Sequence, residues 1–269
     1  MDNSLLTAPI VAANWKMHPD SLRDGKRLFA GIKRTASHLK NVTTVLCPPA
    51  LFLGALSDDY GGAKIQLGSQ DVSRFLGVGS QTGEISAEMM ADTGASVTIV
   101  GHSERRAMGE STADIKQKIK NALNADLAVI YCIGEKERDE AGQYLSFLEG
   151  QITDIFSSVP SRFHNQLTIA YEPLWAIGGG ADSAVTPHDL HQTTLFIRKV
   201  LQQHFSPTLA QKTNILYGGS VKRDNATELF SGTDVDGFLI GGASLEADHF
   251  CDILRIVNDL DSETPKDDQ

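Results

Sequence analysis

Short runs rich in β-branched and aromatic residues alternate with segments of helical period along the whole chain, and no other feature restricts the fold as much. The strand candidates occupy 10–14, 43–47, 64–69, 97–100, 127–132, 167–171, 214–217 and 236–240. Between them, apolar residues recur at helical spacing: Leu28, Phe29 and Ile32, then Ile115, Ile119 and Leu123, and finally Ile253, Ile256, Val257 and Leu260. Thr186-Pro-His-Asp189 reads as a helix start, with Thr186 as N-cap, Pro187 in the first helical position and Asp189 in the first turn. Eight strands alternating with helices in 269 residues predict an α/β fold, a single-domain (β/α)8 barrel. An open doubly wound sheet would share the alternation, but it requires a glycine-rich turn after the first strand. Here that strand runs into Asn14-Trp-Lys-Met-His18. No linker divides the chain. The barrel is assigned to 10–260, with a flexible segment at 1–9 and an acidic, disordered tail at 261–269.

The net charge of -10 makes nucleic acid and anionic membrane poor partners. Small anions are a different matter, because backbone N–H groups hold them locally whatever the global charge. The three cysteines, Cys47, Cys132 and Cys251, contain no C-x-x-C pair. That argues against disulfides and a thiolate zinc site, and a cytoplasmic location is expected. His188 and His191 read as a solvated helix face, so no metal is expected. The N-terminus lacks the features of a signal peptide, and no apolar run approaches the ~18 residues of a membrane helix.

In a barrel of this kind the chemistry sits at the C-terminal ends of the strands. The sixth strand ends in Glu172, followed by Pro173, an apolar flap 174–177 and three glycines, Gly178–Gly180. A carboxylate under a flap that expels water is suited to general-base work, because a drier site raises its basicity. After the first strand come Asn14 and Lys16, two apart and so on one side of an extended chain, where a lysine offers fixed positive charge. After the fourth come Gly101-His-Ser-Glu-Arg-Arg106, in which His102 and Glu104 share parity in the same way. A neutral imidazole at His102 can polarise a carbonyl, while Glu104, Arg105 and Arg106 read as an ion-pair cluster. After the last two strands come Tyr217-Gly-Gly-Ser-Val221 and Ile240-Gly-Gly-Ala-Ser-Leu245. Paired glycines there suit a phosphate held on backbone N–H groups.

Together these motifs resemble those of the triosephosphate isomerase family, whose fold is the TIM barrel. The resemblance runs from Ala12-Ala-Asn-Trp-Lys-Met17 through Gly101–Arg106, Tyr171–Gly178 and Tyr217–Val221 to Gly237-Phe-Leu-Ile-Gly-Gly-Ala-Ser-Leu245. It implies the interconversion of dihydroxyacetone phosphate and D-glyceraldehyde 3-phosphate, a step of glycolysis and gluconeogenesis. It implies Glu172 as base, His102 as neutral electrophile, Lys16 and Asn14 as stabilisers of the enediolate, and Glu104 as the acid supporting the lysine and the base. Phosphate would lie on N–H groups of Gly178, Ser220, Gly241 and Gly242. No cofactor is implied. A homodimer is, with the loop after the third strand reaching into the partner. In that loop Thr82 matches the family pattern, and Leu76 and Val78 suit burial in a neighbour.

The chain departs from the family at the flap, where Gly178–Gly180 replaces Gly-Thr-Gly and the segment that follows is longer. A longer lid leaves room for an alternative substrate, a longer ketose phosphate. An inert phosphate-binding barrel is the reading from a different class, and the presence of Asn14, Lys16, His102 and Glu172 weighs against it.

Overall fold

A computed structural model describes residues 6, 9–176 and 185–263. Eight parallel strands close into a barrel: β1 (Ile10–Asn14), β2 (Thr43–Cys47), β3 (Ile65–Ser69), β4 (Val97–Val100), β5 (Ala128–Ile133), β6 (Leu167–Tyr171), β7 (Ile215–Tyr217) and β8 (Gly237–Ile240). Each pairs with its neighbour in sequence, and β1 pairs with β8 to close the ring. The fifth strand lies one residue further along than 127–132, which brings Ile133 into register with Tyr171 at the end of β6.

Every strand residue on β1 is buried, as expected where helices cover the outer face and side chains fill the inside. The alternation of a strand then separates two cores. Ile10, Ala12, Val45, Cys47, Val97, Ile99, Ile130, Cys132, Ala170, Leu216 and Leu239 pack inside the barrel. Val11, Ala13, Leu46, Val100, Val129, Tyr131, Ile169 and Tyr171 point outward to the helices. The interior of the barrel is thus filled by side chains, and it is not a pore.

The helices that seal it are α1 (Leu22–Ala36), α2 (Ala50–Asp58), α3 (Ala87–Asp92), α4 (Ser103–Ala107), α5 (Thr112–Asn124), α6 (Gln143–Phe156), α7 (Pro187–His204), α8 (Pro207–Lys212), α9 (Arg223–Ser231) and α10 (Ala247–Glu263). The predicted stripes face inward: Phe29 and Ile32 on α1, Ile115, Ile119 and Leu123 on α5, and Ile253 and Val257 on α10 are buried. The start of α7 follows its sequence signal, with the Thr186 hydroxyl accepting the Asp189 N–H at 3.1 Å and Pro187 in first place. A capping box on Ser111 and Asp114 starts α5 in the same manner.

At both ends the described structure extends beyond 10–260. The last helix continues to Glu263, past residue 260 and into the segment expected to be a disordered tail. At the other end Leu6, within the segment expected to be flexible, is buried in the inner core, and its carbonyl accepts from Asn214 Nδ2 at 3.3 Å. An apolar side chain under the barrel floor has a reason to stay there. Residues 1–5, 7–8 and 264–269 lie outside the described residues. Among the described residues, no helix is long and apolar enough to cross a membrane.

Candidate active site

At the C-terminal rim a cavity of 260 Å³ is lined by Asn14, Lys16, His102, Ser103, Glu104, Glu172, Gly218, Gly219, Ser220, Leu239, Gly241 and Gly242. Eight of the nine residues expected to bind or act on substrate are therefore together. The ninth, Gly178, lies outside the described residues, as do the glycine run and the segment 181–184 after it.

Glu172 follows β6 directly and is only 3% exposed. Its Oε1 lies 3.1 Å from His102 Nε2, and its Oε2 accepts the Ser103 N–H at 3.0 Å. Burial pushes the Glu172 carboxyl above the usual carboxylate range, against the opposing pull of His102, the Ser103 hydrogen bonds and Lys16. The result is a carboxylate held ready to accept a proton.

His102 is the N-cap of α4, so it does not reach Glu104 by strand alternation. Its Nδ1 accepts the Glu104 N–H at 3.2 Å. A ring nitrogen that accepts a backbone N–H carries no proton, which assigns the neutral tautomer with hydrogen on Nε2, facing the cavity. Arg106 stiffens this turn from behind, donating from Nε to the Gly101 carbonyl at 2.8 Å.

Lys16 departs from the expected extended geometry. Its φ is +53°, in the left-handed region that non-glycine residues seldom adopt. Two side chains hold it there. Asn14 Oδ1 accepts the Lys16 N–H at 3.1 Å, and Gln70 Nε2 donates to the Lys16 carbonyl at 2.8 Å. Asn14 thus positions the lysine through its backbone. The ammonium meets Glu104 Oε1 at 2.6 Å, so Glu104 touches Lys16 rather than Glu172.

The opposite wall is backbone. Ser220 lies in a loop pinned by Asn225, whose Nδ2 donates to the Ser220 carbonyl at 3.0 Å and whose Oδ1 accepts the Lys222 N–H at 2.7 Å. Gly241 leads into a short 3-10 turn, Gly242–Leu245. A Cβ on Gly241 would stand 3.3 Å from Lys16 Cε, whereas one on Gly242 would meet nothing within 4 Å. Gly241 is therefore small on account of the lysine, and only an incoming group gives Gly242 a reason to be.

Several residues of this site escaped the sequence reading. Gln70 is one residue beyond β3, at the same strand-end position as Lys16's neighbours, so the signal was present. Gly218 belongs to the turn read as a phosphate site, yet a Cβ there would come 2.9 Å from Glu172 Cγ. Glu135 is a further case. Its Oε1 accepts from the Tyr171 hydroxyl at 2.8 Å, Trp175 Nε1 at 2.9 Å and Arg138 Nε at 3.1 Å, and so fixes the residues on both sides of Glu172.

The loop after β3 stands apart from the cavity. Leu76 and Val78 are 63% and 94% exposed, and Thr82 is exposed near its C-terminal end. Its base is firm: Ser73 N–H donates to the Ile85 carbonyl at 2.8 Å and the Ser73 hydroxyl to Glu84 at 2.6 Å.

Comparison with known proteins identifies the family. Residues 9–257 match the family described as Triosephosphate isomerase. A relative named triosephosphate isomerase in Hydrogenovibrio crunogenus is 44% identical, over 91% of this chain and 96% of its own. One of the same name in Flavobacterium johnsoniae is 38% identical, over 92% and 98%. The crystal structure of triosephosphate isomerase from Bartonella henselae superimposes with a TM-score of 0.79 at 36% identity, covering 93% of this chain and 99% of that one. On fold and sequence alike, the chain belongs to the triosephosphate isomerase family.

Proposed function

We propose that Glu172 is the base with which this aldose–ketose isomerase interconverts dihydroxyacetone phosphate and D-glyceraldehyde 3-phosphate. The observation that carries this reading is the contact of Glu172 Oε1 with His102 Nε2 at 3.1 Å inside the cavity that also holds Lys16. A base, a neutral N–H donor and a fixed cation then face one small volume. Glu172 removes a proton from the hydroxyl-bearing carbon, and the electron pair forms the enediolate double bond. Charge moves to the carbonyl oxygen, where the His102 Nε2–H and the Lys16 ammonium stabilise it. The former carbonyl oxygen gains a proton through His102 Nε2 while the hydroxyl on the first carbon gives one up, so that this oxygen becomes the new carbonyl as the Glu172 carboxylic acid returns its proton to the neighbouring carbon. Ser220, Gly241 and Gly242 offer backbone N–H groups to the phosphate, with Gly178 as a further donor.

Glu172→Gln keeps the shape and removes the base. Loss of a positioned general base lowers rate by about 10²–10⁴-fold, so kcat in a coupled assay is expected to fall in that range. Near-normal turnover would exclude Glu172 as base. Assaying a four-carbon ketose phosphate beside the triose separates the longer-substrate reading. Catalysis of neither would favour an inert phosphate-binding barrel.

The active form is proposed to be a dimer of this chain. Besides Leu76 and Val78, Met17 and Leu51 near the site and Phe75, Ile85 and Met89 around the loop are exposed apolar side chains. A 270 Å³ cavity lined by Ala50, Gln70, Asp71, Glu84, Ile85 and Arg105 among others is suited to receive a loop tip. Leu76→Glu is expected to give a smaller species in sedimentation with lower activity, and an unchanged coefficient with full activity would refute this. A cytoplasmic location is proposed as well. It is supported by the three buried free thiols, and cell fractionation tests it.

A further inference from the structure

Gln151, on α6, lines neither cavity described above, yet its carboxamide reaches the strand ends beside the base. It engages both polar groups of Gly134: the Gly134 N–H donates to Oε1 at 2.9 Å, and Nε2 donates to the Gly134 carbonyl at 3.3 Å. This is the two-point grip that a residue on a paired strand would supply, provided here by a side chain just past the end of β5. Both the helix and the strand side of the grip are anchored. The Tyr131 hydroxyl donates to the Gln151 carbonyl at 3.0 Å, and Arg106 Nη2 donates to the Cys132 carbonyl at 3.1 Å.

What Gly134 touches is the base. A Cβ on Gly134 would fall within the Glu172 carbonyl group, so the two backbones meet with no side chain between them. The Glu172 N–H donates to the Ile133 carbonyl at 2.7 Å, immediately before Gly134. The main chain of Glu172 therefore leans on a peptide that has little stiffness of its own, because glycine is the most freely rotating residue. The amide of Gln151 supplies the stiffness.

We infer that Gln151 is a positioning residue for the isomerisation: through Gly134 it sets where the Glu172 backbone lies, and so where its carboxylate sits over the substrate carbon. The inference rests on Glu172 being the base. Gln151 touches no substrate and acts only through that backbone. Binding and proton transfer should then separate when it is altered. A misplaced base slows the chemical step, while the phosphate loops on β7 and β8 are untouched.

Gln151→Met preserves length and removes both hydrogen bonds, and Gln151→Glu keeps only the acceptor. A displacement near 1 Å costs on the order of a hundredfold in rate. The Met variant is expected to lose about tenfold or more in kcat, with KM and the Kd for inorganic phosphate within about twofold. The Glu variant should fall between it and wild type. In a Glu172→Gln background the same Gln151→Met change should have no further effect on residual kcat, because the group it positions is gone. An unchanged kcat in the Met variant overturns the inference. So does a rise in KM matching the fall in kcat, or an equal loss with and without Glu172. If the Met variant does not fold, the Glu variant decides by the same criteria. Failure of the base reading is distinct: it shows as near-normal turnover in Glu172→Gln alone.

Discussion

Around Glu172, on the ends of β4, β5 and β6, the cavity presents side chains, each held by others. Across from it, on the ends of β7 and β8, the cavity presents main chain. On the first side His102 and Ser103 contact the Glu172 carboxylate, Glu135 holds the Tyr171 hydroxyl beside it, and Gln151 grips the Gly134 backbone against it. On the second, glycines at 218, 219, 241 and 242 keep the surface bare. The difference matches the two tasks. Moving a proton depends on one atom's placement and basicity. Holding a phosphate depends on several N–H groups that converge without a side chain in the way. The boundary is not clean, because glycines on the second side also serve the first.

Gly218→Ala tests that boundary with the largest expected effect. Its Cβ would press on Glu172 Cγ at 2.9 Å. A shift of a fraction of an ångström in the base should lower kcat about tenfold, with phosphate affinity nearly unchanged. If affinity falls and kcat holds, Gly218 belongs to the phosphate wall alone.

The pair Gly241→Ala and Gly242→Ala should separate next, by a few-fold each. The first crowds Lys16 in the free protein and should raise KM. The second meets open space, so the free protein should keep its Tm, while protection by 2-phosphoglycolate against unfolding should weaken. Equal protection in Gly242→Ala and wild type would mean that the anion lies elsewhere.

The smallest effect concerns stability. Because the Glu172 carboxyl is pushed above its ordinary value by burial, the folded state binds that proton more tightly than the unfolded chain does. Stability is then lost as pH rises from the ordinary carboxylate value through the raised one, and above both the charged base is a net cost. Glu172→Gln removes this cost. Its Tm at pH 7–8 should exceed that of wild type, and the gap should close in acid below the ordinary value. A constant gap across pH would locate the effect outside this carboxylate.

The same contrast explains what could be read from sequence. Strand ends were legible because β-branched runs stop at residues with chemistry in their side chains, as at Asn14, His102 and Glu172. A glycine declares only an absence. Nothing in Gly-Gly says that 218 makes room for a base, 241 for a lysine and 242 for neither. The amide pairs were hidden for another reason. Gln70 contacts residue 16 and Gln151 contacts residue 134, and such contacts exist only once the barrel has closed. The turn at Lys16 was misread as extended because the two partners that enforce its φ of +53° act on backbone atoms, which carry no residue-specific signal. The flap beyond Ala176 lies outside the described residues.

The closed ring of strands has a bearing on how this chain meets copies of itself. An open sheet ends in a row of unpaired N–H and C=O groups that can recruit another strand, and recruitment of that kind has no natural stopping point. With β8 bonded to β1, the folded barrel offers no such row. Contact between folded molecules is left to side-chain surfaces, among them the exposed Leu76 and Val78. Assembly can then terminate at a small number of subunits, and runaway fibre growth by strand addition would require the ring to open first.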